Sequence, residues 1–272
     1  MTEMDTGTRD LVARVEDGVA VLTMNRPTRR NAFSPEMVVA LARVLGEVEA
    51  DDDVGAVVLT GAGGAFCAGG DVKMMTAGES LFGGASYDED VRLQRRNQRE
   101  TAGRLWSMAK PTIAMVPGPA AGAGLALALS CDLRYAADTA VFTPAFGRVG
   151  LPGDYGGTWF LTRLVGAAKA KELYFFSRLL TAGEALDLGI VNAVYDAAEL
   201  ETSVLALARE LANGPRIALR AMKENVNRAV HADLGDCLDI EVTHHHWAGT
   251  TEDHREAARA FVEKRPPAFG GR

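Results

Sequence analysis

The chain has 272 residues, of which 47% are hydrophobic and 24% are charged. These proportions are ordinary for a soluble globular protein and exclude a disordered, collagen-like or coiled-coil chain. The formal net charge of −7 argues against nucleic acid or an anionic membrane as a partner, because such partners bind basic surfaces. The length allows one large domain, or a domain with an appendage, and in either case a substantial core.

The three cysteines, Cys67, Cys131 and Cys237, are widely separated and lack zinc-ligand spacing. They suggest free thiols in a reducing compartment, and we expect no bound metal. The segment 1–10 is polar, and no apolar run is long enough to cross a bilayer. We therefore expect a cytoplasmic protein.

The first half of the chain contains three short apolar runs rich in β-branched residues, at 19–23, 56–60 and 112–116. Each run is followed closely by Gly, Pro or Asn, which is typical of buried strands. Ser34 and Pro35 precede apolar residues at helical spacing and predict a helix capped by Ser34. The result is a strand–helix–strand unit.

The second half favours helices. Strand patterns fade after 132–136, and 183–264 is predicted to form several amphipathic helices with a break at 213–215. The segment 77–85 is expected to be a flexible loop, either a lid or a loop without function. The pattern predicts an α/β core followed by a helical tail.

Two glycine-rich segments follow predicted strands. The segment 61–71 lacks the Gly-Lys-Ser/Thr of a P-loop and the spacing of a dinucleotide fingerprint, so it is either a surface turn or a backbone site for a ligand. The segment 117–132 ends in an apolar helix whose first turn contains Gly122, Ala123 and Gly124. The unpaired N–H groups of that turn can receive an oxyanion, although small residues there also suit tight packing.

Taken together, the motifs resemble those of the crotonase (enoyl-CoA hydratase/isomerase) superfamily, in the right order along almost the whole chain. The matching motifs are Asn25-Arg26-Pro27 with Arg30-Asn31-Ala32, Phe66-Cys67-Ala68-Gly69-Gly70-Asp71, Gly118 to Gly124 with Cys131-Asp132, Gly156-Gly157 with Leu161-Thr162-Arg163, Leu179 to Gly189 with Val191-Asn192, and Phe261 to Arg265.

The resemblance implies an α/β fold with a ββα spiral core at 1–200, which holds the acyl-CoA site, and a C-terminal helical oligomerisation region at 201–272. It also implies a homotrimer or a hexamer built as a dimer of trimers. In this family two backbone N–H groups hold the thioester oxyanion, and the matching positions here are Gly70 and Ala123. One such donor is worth about 3 kcal/mol in other enzymes.

Hydratases of the family use two glutamates, and the matching positions here are Ala126 and Phe146, which carry no acid–base group. Asp154 offers a single replacement carboxylate ahead of a glycine pair. It matches the aspartate of the dienoyl-CoA isomerases and the epoxyphenylacetyl-CoA isomerases, and the neighbouring motifs are most similar to the latter. Without the resemblance, an aspartate before a helix is more often a cap.

One carboxylate suits a proton shuttle, so the leading interpretation is an enoyl-CoA double-bond isomerase. A hydratase, an acyl-CoA dehalogenase or hydrolase, and a non-catalytic acyl-CoA-binding protein remain alternatives. The acyl chain stays open, whether aliphatic or aromatic.

The resemblance implies that coenzyme A arrives as part of the thioester substrate and that no cofactor is bound permanently. The residues expected at the coenzyme A site are Arg26, Arg30, Ala32, Ala68, Gly69, Asp71, Val72, Phe261 and Lys264. Among these, Phe261 and Lys264 are expected to reach a neighbouring subunit's site. Ordinary solvated surface charge is the alternative for the basic residues.

Two other groups of residues suggest a function but also have a plain structural explanation. The run His244-His245-His246 is not expected to bind metal, because consecutive helical residues point in different directions. Four aromatic residues can shape the acyl pocket or simply pack in the core. They are Phe82, Trp106, Phe146 and Trp159.

Overall fold

The computed structural model describes residues 1–80 and 83–271, so the expectation for Phe82 and part of the predicted 77–85 loop lie outside the described residues. The strands are β1 (Thr2–Met4), β2 (Leu11–Glu16), β3 (Val19–Met24), β4 (Ala56–Gly61), β5 (Thr112–Val116), β6 (Ala120–Ala121), β7 (Leu133–Ala137), β8 (Val141–Thr143), β9 (Leu180–Thr181) and β10 (Ala193–Tyr195). The helices are α1 (Pro35–Ala50), α2 (Val72–Thr76), α3 (Tyr87–Gln98), α4 (Arg104–Ser107), α5 (Ala123–Leu129), α6 (Gly157–Phe176), α7 (Ala182–Asp187), α8 (Leu200–Ala212), α9 (Arg216–Ala229), α10 (Leu234–Gly249) and α11 (Glu252–Glu263).

A sheet of seven strands in the order β1-β2-β3-β4-β5-β7-β10 forms the centre of the fold. The first three strands are antiparallel, and those from β3 onwards are parallel. The three predicted strands are confirmed as β3, β4 and β5, which are neighbours in the sheet. Their carboxyl ends therefore lie along one edge, which brings the segments that follow them together.

The central strands β3, β4 and β5 are buried on both faces, which explains why they are apolar without alternation. Along β3, Ala20 and Leu22 join the main core, whereas Val19 and Val21 join a second core with α8. Because side chains of a strand point alternately to its two faces, one strand supplies both cores. Helix α8 thus packs on the sheet, and the division at residue 200 remains a prediction.

Helix α1 begins as its sequence predicts. Ser34 is its N-cap, with Oγ accepting a hydrogen bond of 3.1 Å from the Met37 N–H, and Pro35 occupies the first turn. A side-chain cap satisfies one of the N–H groups that the helix itself leaves unpaired. The helix then buries eight apolar side chains against the sheet.

A second, smaller sheet contains β6, β8 and β9. Its strands have two or three residues each, as β10 also does in the main sheet. The prediction that strands fade after 132–136 missed β8, β9 and β10, because so few residues carry no recognisable period. The coarser prediction of an α/β core with a C-terminal helical region is confirmed.

The C-terminal helices α9, α10 and α11 follow the predicted break, since α8 ends at Ala212 and α9 begins at Arg216. Lys223 of α9 joins them to the core, because its Nζ lies 2.8 Å from the Asp132 carboxylate and donates to the carbonyls of Leu105 and Lys110 at 3.0 Å each. Among the described residues, no helix combines the length and apolar character needed to cross a membrane.

Candidate active site

The two glycine-rich segments meet at the carboxyl ends of β4 and β5. The N–H groups of Phe66 and Cys67 donate to the Pro119 carbonyl at 3.1 and 3.2 Å, and Ala121 N–H donates to the Cys67 carbonyl at 2.9 Å. The contact requires glycine at Gly124, because a Cβ there would lie 2.3 Å from the Cys67 oxygen. The glycines of both segments therefore permit a close approach of two backbones.

The approach places two backbone N–H groups on the wall of one cavity. Gly70 and Ala123 both line it, and a Cβ on Gly69 would lie 3.0 Å from the Ala123 nitrogen. Ala123 is the first residue of α5, so its N–H has no partner within that helix. In residues 1–80 and 83–271, neither N–H group donates a hydrogen bond within the chain. Two residues of the cavity wall therefore have backbone N–H groups without a partner in the described chain.

The cavity has a volume of about 660 Å³ and a mainly apolar wall. The large apolar side chains that line it include Phe33, Val38, Met75, Phe146, Leu151 and Tyr155. Such a cavity suits a small organic group that is held by a few polar contacts.

Asp154 supplies a carboxylate to the same wall. It belongs to a short loop between residues 150 and 156, in which Gly153 and Tyr155 both adopt positive φ. Oδ2 accepts a hydrogen bond of 3.3 Å from Gln94 Nε2, and Oδ1 is buried without a partner among the described residues. Burial raises the pKa of Asp154 to about 6, against a smaller opposite effect of the Gln94 hydrogen bond. A carboxyl group with that pKa can both take and return a proton near neutral pH.

The chain is similar to known proteins over nearly its whole length. Residues 14–272 match the family model described as enoyl-CoA hydratase/isomerase. The chain is 39% identical to the 1,2-epoxyphenylacetyl-CoA isomerase of Escherichia coli strain K12, over 96% of this chain and 98% of that protein. The chain belongs to the enoyl-CoA hydratase/isomerase family.

Other members of the family are similar over nearly their whole length. The short-chain-enoyl-CoA hydratase of Clostridium acetobutylicum is 35% identical, with 94% of this chain and 95% of that protein covered. Crystal structures of enoyl-CoA hydratases from Polaromonas sp. JS666 and Mycobacterium smegmatis superpose with TM-scores of 0.86 and 0.87, at 33% and 31% identity. They cover 95% and 96% of this chain, and it covers 99% of each of them. The chain is therefore an enzyme of this family, acting on acyl-CoA thioesters.

The two positions expected to hold hydratase glutamates contain no acid–base group in the fold. Ala126 is buried in α5, beneath the start of α6, where a Cβ on Gly157 would lie 3.0 Å from the Ala126 Cβ. Phe146 lines the cavity and stacks on Tyr174, with ring centroids 6.0 Å apart. The site differs in this respect from the two-glutamate arrangement that the family resemblance assigns to hydratases.

Several residues expected at the coenzyme A site lie around the cavity. Ala68 and Val72 line it, and the Gly69 carbonyl accepts a hydrogen bond of 2.8 Å from Phe33 N–H. Arg30 is exposed, and its carbonyl accepts a hydrogen bond of 2.9 Å from Ala68 N–H, which places its backbone beside the cavity wall.

The Arg26 guanidinium is engaged within the chain. It contacts Asp71 Oδ2 at 3.3 Å and Asp10 Oδ2 at 3.4 Å, and it donates to the Ala32 carbonyl at 2.6 Å. Asp71 in turn caps α2 by accepting from Lys73 N–H. In this arrangement Arg26 joins the segments that contain Asp10, Ala32 and Asp71, and two carboxylates compensate its charge. The predicted role of these residues in coenzyme A binding remains a prediction.

Phe261 and Lys264 do not line the Asp154 cavity of their own chain. Both are exposed at the end of α11, and Phe261 as a whole residue is 85% exposed. Their expected role at a neighbouring subunit's site remains a prediction.

Two of the aromatic residues weighed for the acyl pocket lie elsewhere. Trp106 and Trp159 pack edge-to-face against each other, with centroids 5.1 Å apart, and Phe160 completes the cluster. The cluster borders a separate groove beside α9. Phe146 lines the Asp154 cavity as expected, and Phe33 and Tyr155 are additional aromatic residues that sequence reasoning missed.

Sequence reasoning also missed Gln94, whose amide contacts Asp154. Nothing in the polar sequence of α3 distinguishes this glutamine from its neighbours; only its i, i+4 spacing to Gln98 hints at a shared face.

The three consecutive histidines lie on α10 and face different directions. His244 is buried and its Nδ1 lies 2.5 Å from Asn225 Oδ1, whereas His245 and His246 are exposed. In the described part of the chain, no three His, Cys, Asp or Glu side chains are placed to share a metal ion.

Proposed function

We propose that this enzyme is an enoyl-CoA double-bond isomerase in which Asp154 carries the proton. The observation that carries the proposal is the half-buried Asp154 carboxylate on the wall of the cavity that Gly70 and Ala123 also line. The absence of a carboxylate at 126 and 146 supports a mechanism with one acid–base group.

In the proposed reaction, the thioester carbonyl of a 3-enoyl-CoA accepts hydrogen bonds from the Gly70 and Ala123 N–H groups. Asp154 removes a proton from C2, and the electron pair of that C–H bond moves into the conjugated dienolate. The two N–H donors stabilise the negative charge on the oxygen more strongly than they stabilise the neutral carbonyl. The protonated Asp154 then returns the proton to C4, which leaves the double bond between C2 and C3.

The acyl group is proposed to be aromatic or otherwise planar. Phe33, Phe146 and Tyr155 supply ring faces or edges to the cavity, and aromatic side chains favour stacked or edge-to-face partners. The relative at 39% identity is named a 1,2-epoxyphenylacetyl-CoA isomerase, and that thioester carries a six-membered ring in its acyl group. Coenzyme A is proposed to enter beside Ala68, with exposed Arg30 near its phosphates.

We also propose a homotrimer, or a hexamer formed from two trimers. Helices α9 and α10 expose a series of apolar side chains that a subunit interface would bury. They include Met222, Val226, Leu234, Leu238 and Val242. Exposed apolar surface of this extent is uncommon on a monomer. Light scattering of the purified protein tests this assembly.

The reaction is tested with 2-enoyl-, 3-enoyl-, 3,5-dienoyl- and epoxyphenylacetyl-CoA as separate substrates, with products identified by mass and ultraviolet spectrum. Isomerisation conserves mass, whereas hydration adds one water. We expect a mass-neutral product that disappears, with a loss of at least about 1,000-fold in kcat, in Asp154→Asn. Binding of the saturated thioester butyryl-CoA should persist in that variant.

Glu79→Gln is the matched control, because Glu79 is another carboxylate on the cavity wall but is exposed. Loss of turnover in Glu79→Gln and its retention in Asp154→Asn would reverse the assignment of the proton carrier. Efficient hydration of 2-enoyl-CoA by the wild type would instead make the enzyme a hydratase.

A further inference from the structure

Helix α3 lies against the Asp154 loop through two glutamines. Gln94 Nε2 donates to Asp154 Oδ2 at 3.3 Å, and Gln98 Oε1 accepts from the Tyr155 N–H at 2.7 Å. Residues four apart lie on one face of a helix, so the two contacts come from the same side of α3. One glutamine contacts the carboxylate, and the other contacts only the backbone of the next residue.

The Gln94 contact is the single hydrogen bond that the Asp154 carboxylate makes within residues 1–80 and 83–271. The titratable groups around the carboxylate and its cavity are Tyr155, Tyr174, Glu79 and Asp90. None of these four is a cation. Asp90 is already engaged, since its Oδ1 accepts from Ser80 Oγ and from the Gly84 N–H. The Gln94 amide is therefore the polar group in the described structure that acts directly on the charge of Asp154.

We propose that Gln94 is a positioning residue for the reaction, which fixes the orientation of the Asp154 carboxylate and stabilises its ionised form. The inference rests on the proposed role of Asp154 as proton carrier. A free carboxylate can rotate about its terminal torsion, which is broad and twofold. A side-chain amide donor on one oxygen selects one orientation and lowers the free energy of the charged form relative to the neutral one.

The electrostatic consequence has a definite sign. Burial raises the pKa of Asp154 to about 6, and the Gln94 hydrogen bond opposes that rise. Removing the amide leaves burial unopposed, so the pKa should rise further. A base must be ionised to accept a proton, and the enzyme should therefore need a higher pH to reach full activity.

The test is the pH profile of kcat/KM for the isomerised thioester in wild type and Gln94→Leu. The wild-type profile should rise with pH to a plateau, with its midpoint near pH 6. In Gln94→Leu the midpoint should move upward by about one pH unit, the effect of losing one hydrogen bond to a charged group. The dissociation constant of butyryl-CoA should stay within about twofold, because Gln94 acts on the base.

Gln98→Leu is the matched control, since it removes a hydrogen bond from the same helix to the same loop without touching the carboxylate. Its midpoint should stay near that of the wild type even if kcat falls. Equal upward movement in both variants would show that loop placement alone is responsible and would overturn the role of Gln94. Gln94→Met serves if circular dichroism shows that the leucine variant is unfolded.

Failure of this inference can be separated from failure of the proposed function. An unmoved midpoint in Gln94→Leu, together with an inactive Asp154→Asn, would overturn the role of Gln94 and leave Asp154 as the proton carrier. An active Asp154→Asn would overturn the proposed function itself, whatever the Gln94 variants do.

Discussion

Replacing Asp154 by asparagine should stabilise the folded protein while it abolishes turnover. The side chain is largely withdrawn from solvent, and its Oδ1 has no partner among the described residues. Burial raises the pKa of this carboxyl group from 3.8 to about 6. Asparagine has nearly the same shape and carries no charge, so the variant removes the cost of ionising a buried acid.

The size of this effect follows from the pKa difference. The rise amounts to about two pH units, and one unit corresponds to about 1.4 kcal/mol, so ionised Asp154 costs up to about 3 kcal/mol of unfolding free energy. Between about pH 4 and pH 6 the folded state holds the proton and the unfolded state releases it, so stability falls as the pH rises through that window. Above about pH 6 the cost is fully present, and below about pH 4 it is absent. Because Asp154 is only half-buried and borders the cavity, solvent screens part of its charge, and this figure is an upper value.

Urea unfolding at pH 8 and at pH 4.5, at one fixed protein concentration, measures the difference. We expect Asp154→Asn to exceed the wild type by about 2 to 3 kcal/mol at pH 8 and by about 1 kcal/mol or less at pH 4.5. Asp187→Asn, at an exposed position on α7, controls for a general change in net charge. Equal stabilisation at both pH values, or none at pH 8, would refute the conclusion that the buried charge is costly.

Three other perturbations have expected outcomes. In Gly124→Val, even the Cβ would lie 2.3 Å from the Cys67 oxygen, so the two glycine-rich segments must separate. We expect kcat/KM to fall by about 100-fold or more and thermal unfolding to occur at a lower temperature. Lys223→Met leaves the mostly buried Asp132 carboxylate without its cation and should cost about 3 kcal/mol in urea unfolding, part of which a second change, Asp132→Asn, recovers. Phe146→Ala removes a ring from the cavity and should raise KM for an aromatic thioester about tenfold, with a smaller effect on a short aliphatic one.

Local patterns of the sequence determined much of the fold. Apolar β-branched runs predicted β3, β4 and β5 because buried parallel strands need that composition, and Ser34-Pro35 predicted the start of α1 because capping depends on adjacent residues. The short strands β8, β9 and β10 could not be predicted in this way. They are held by pairing with distant strands rather than by their own residues.

The same distinction between local motifs and distant contacts applies to the candidate site. Gly70, Ala123 and Asp154 could be predicted as candidates because each lies in a motif of adjacent residues. All three line one cavity, and their roles remain proposals. Gln94 was missed because its contact with Asp154 joins residues 60 positions apart. The engagement of Arg26 was missed for the same reason, since its partner Asp71 lies 45 positions further along the chain.

The N–H groups of Gly70 and Ala123, two residues of the cavity wall, belong to the main chain. Their place in the main chain has an evolutionary consequence. A side-chain donor can be lost by one codon change, whereas a main-chain donor is removed outright only by substitution to proline. Under the proposed mechanism, most side-chain changes at the two donor residues leave both N–H groups in place, provided that glycines such as Gly124 still let the two segments meet. On that proposal, a change of acid–base group in the loop that contains Asp154 could alter the reaction of an acyl thioester while the backbone donors stay the same.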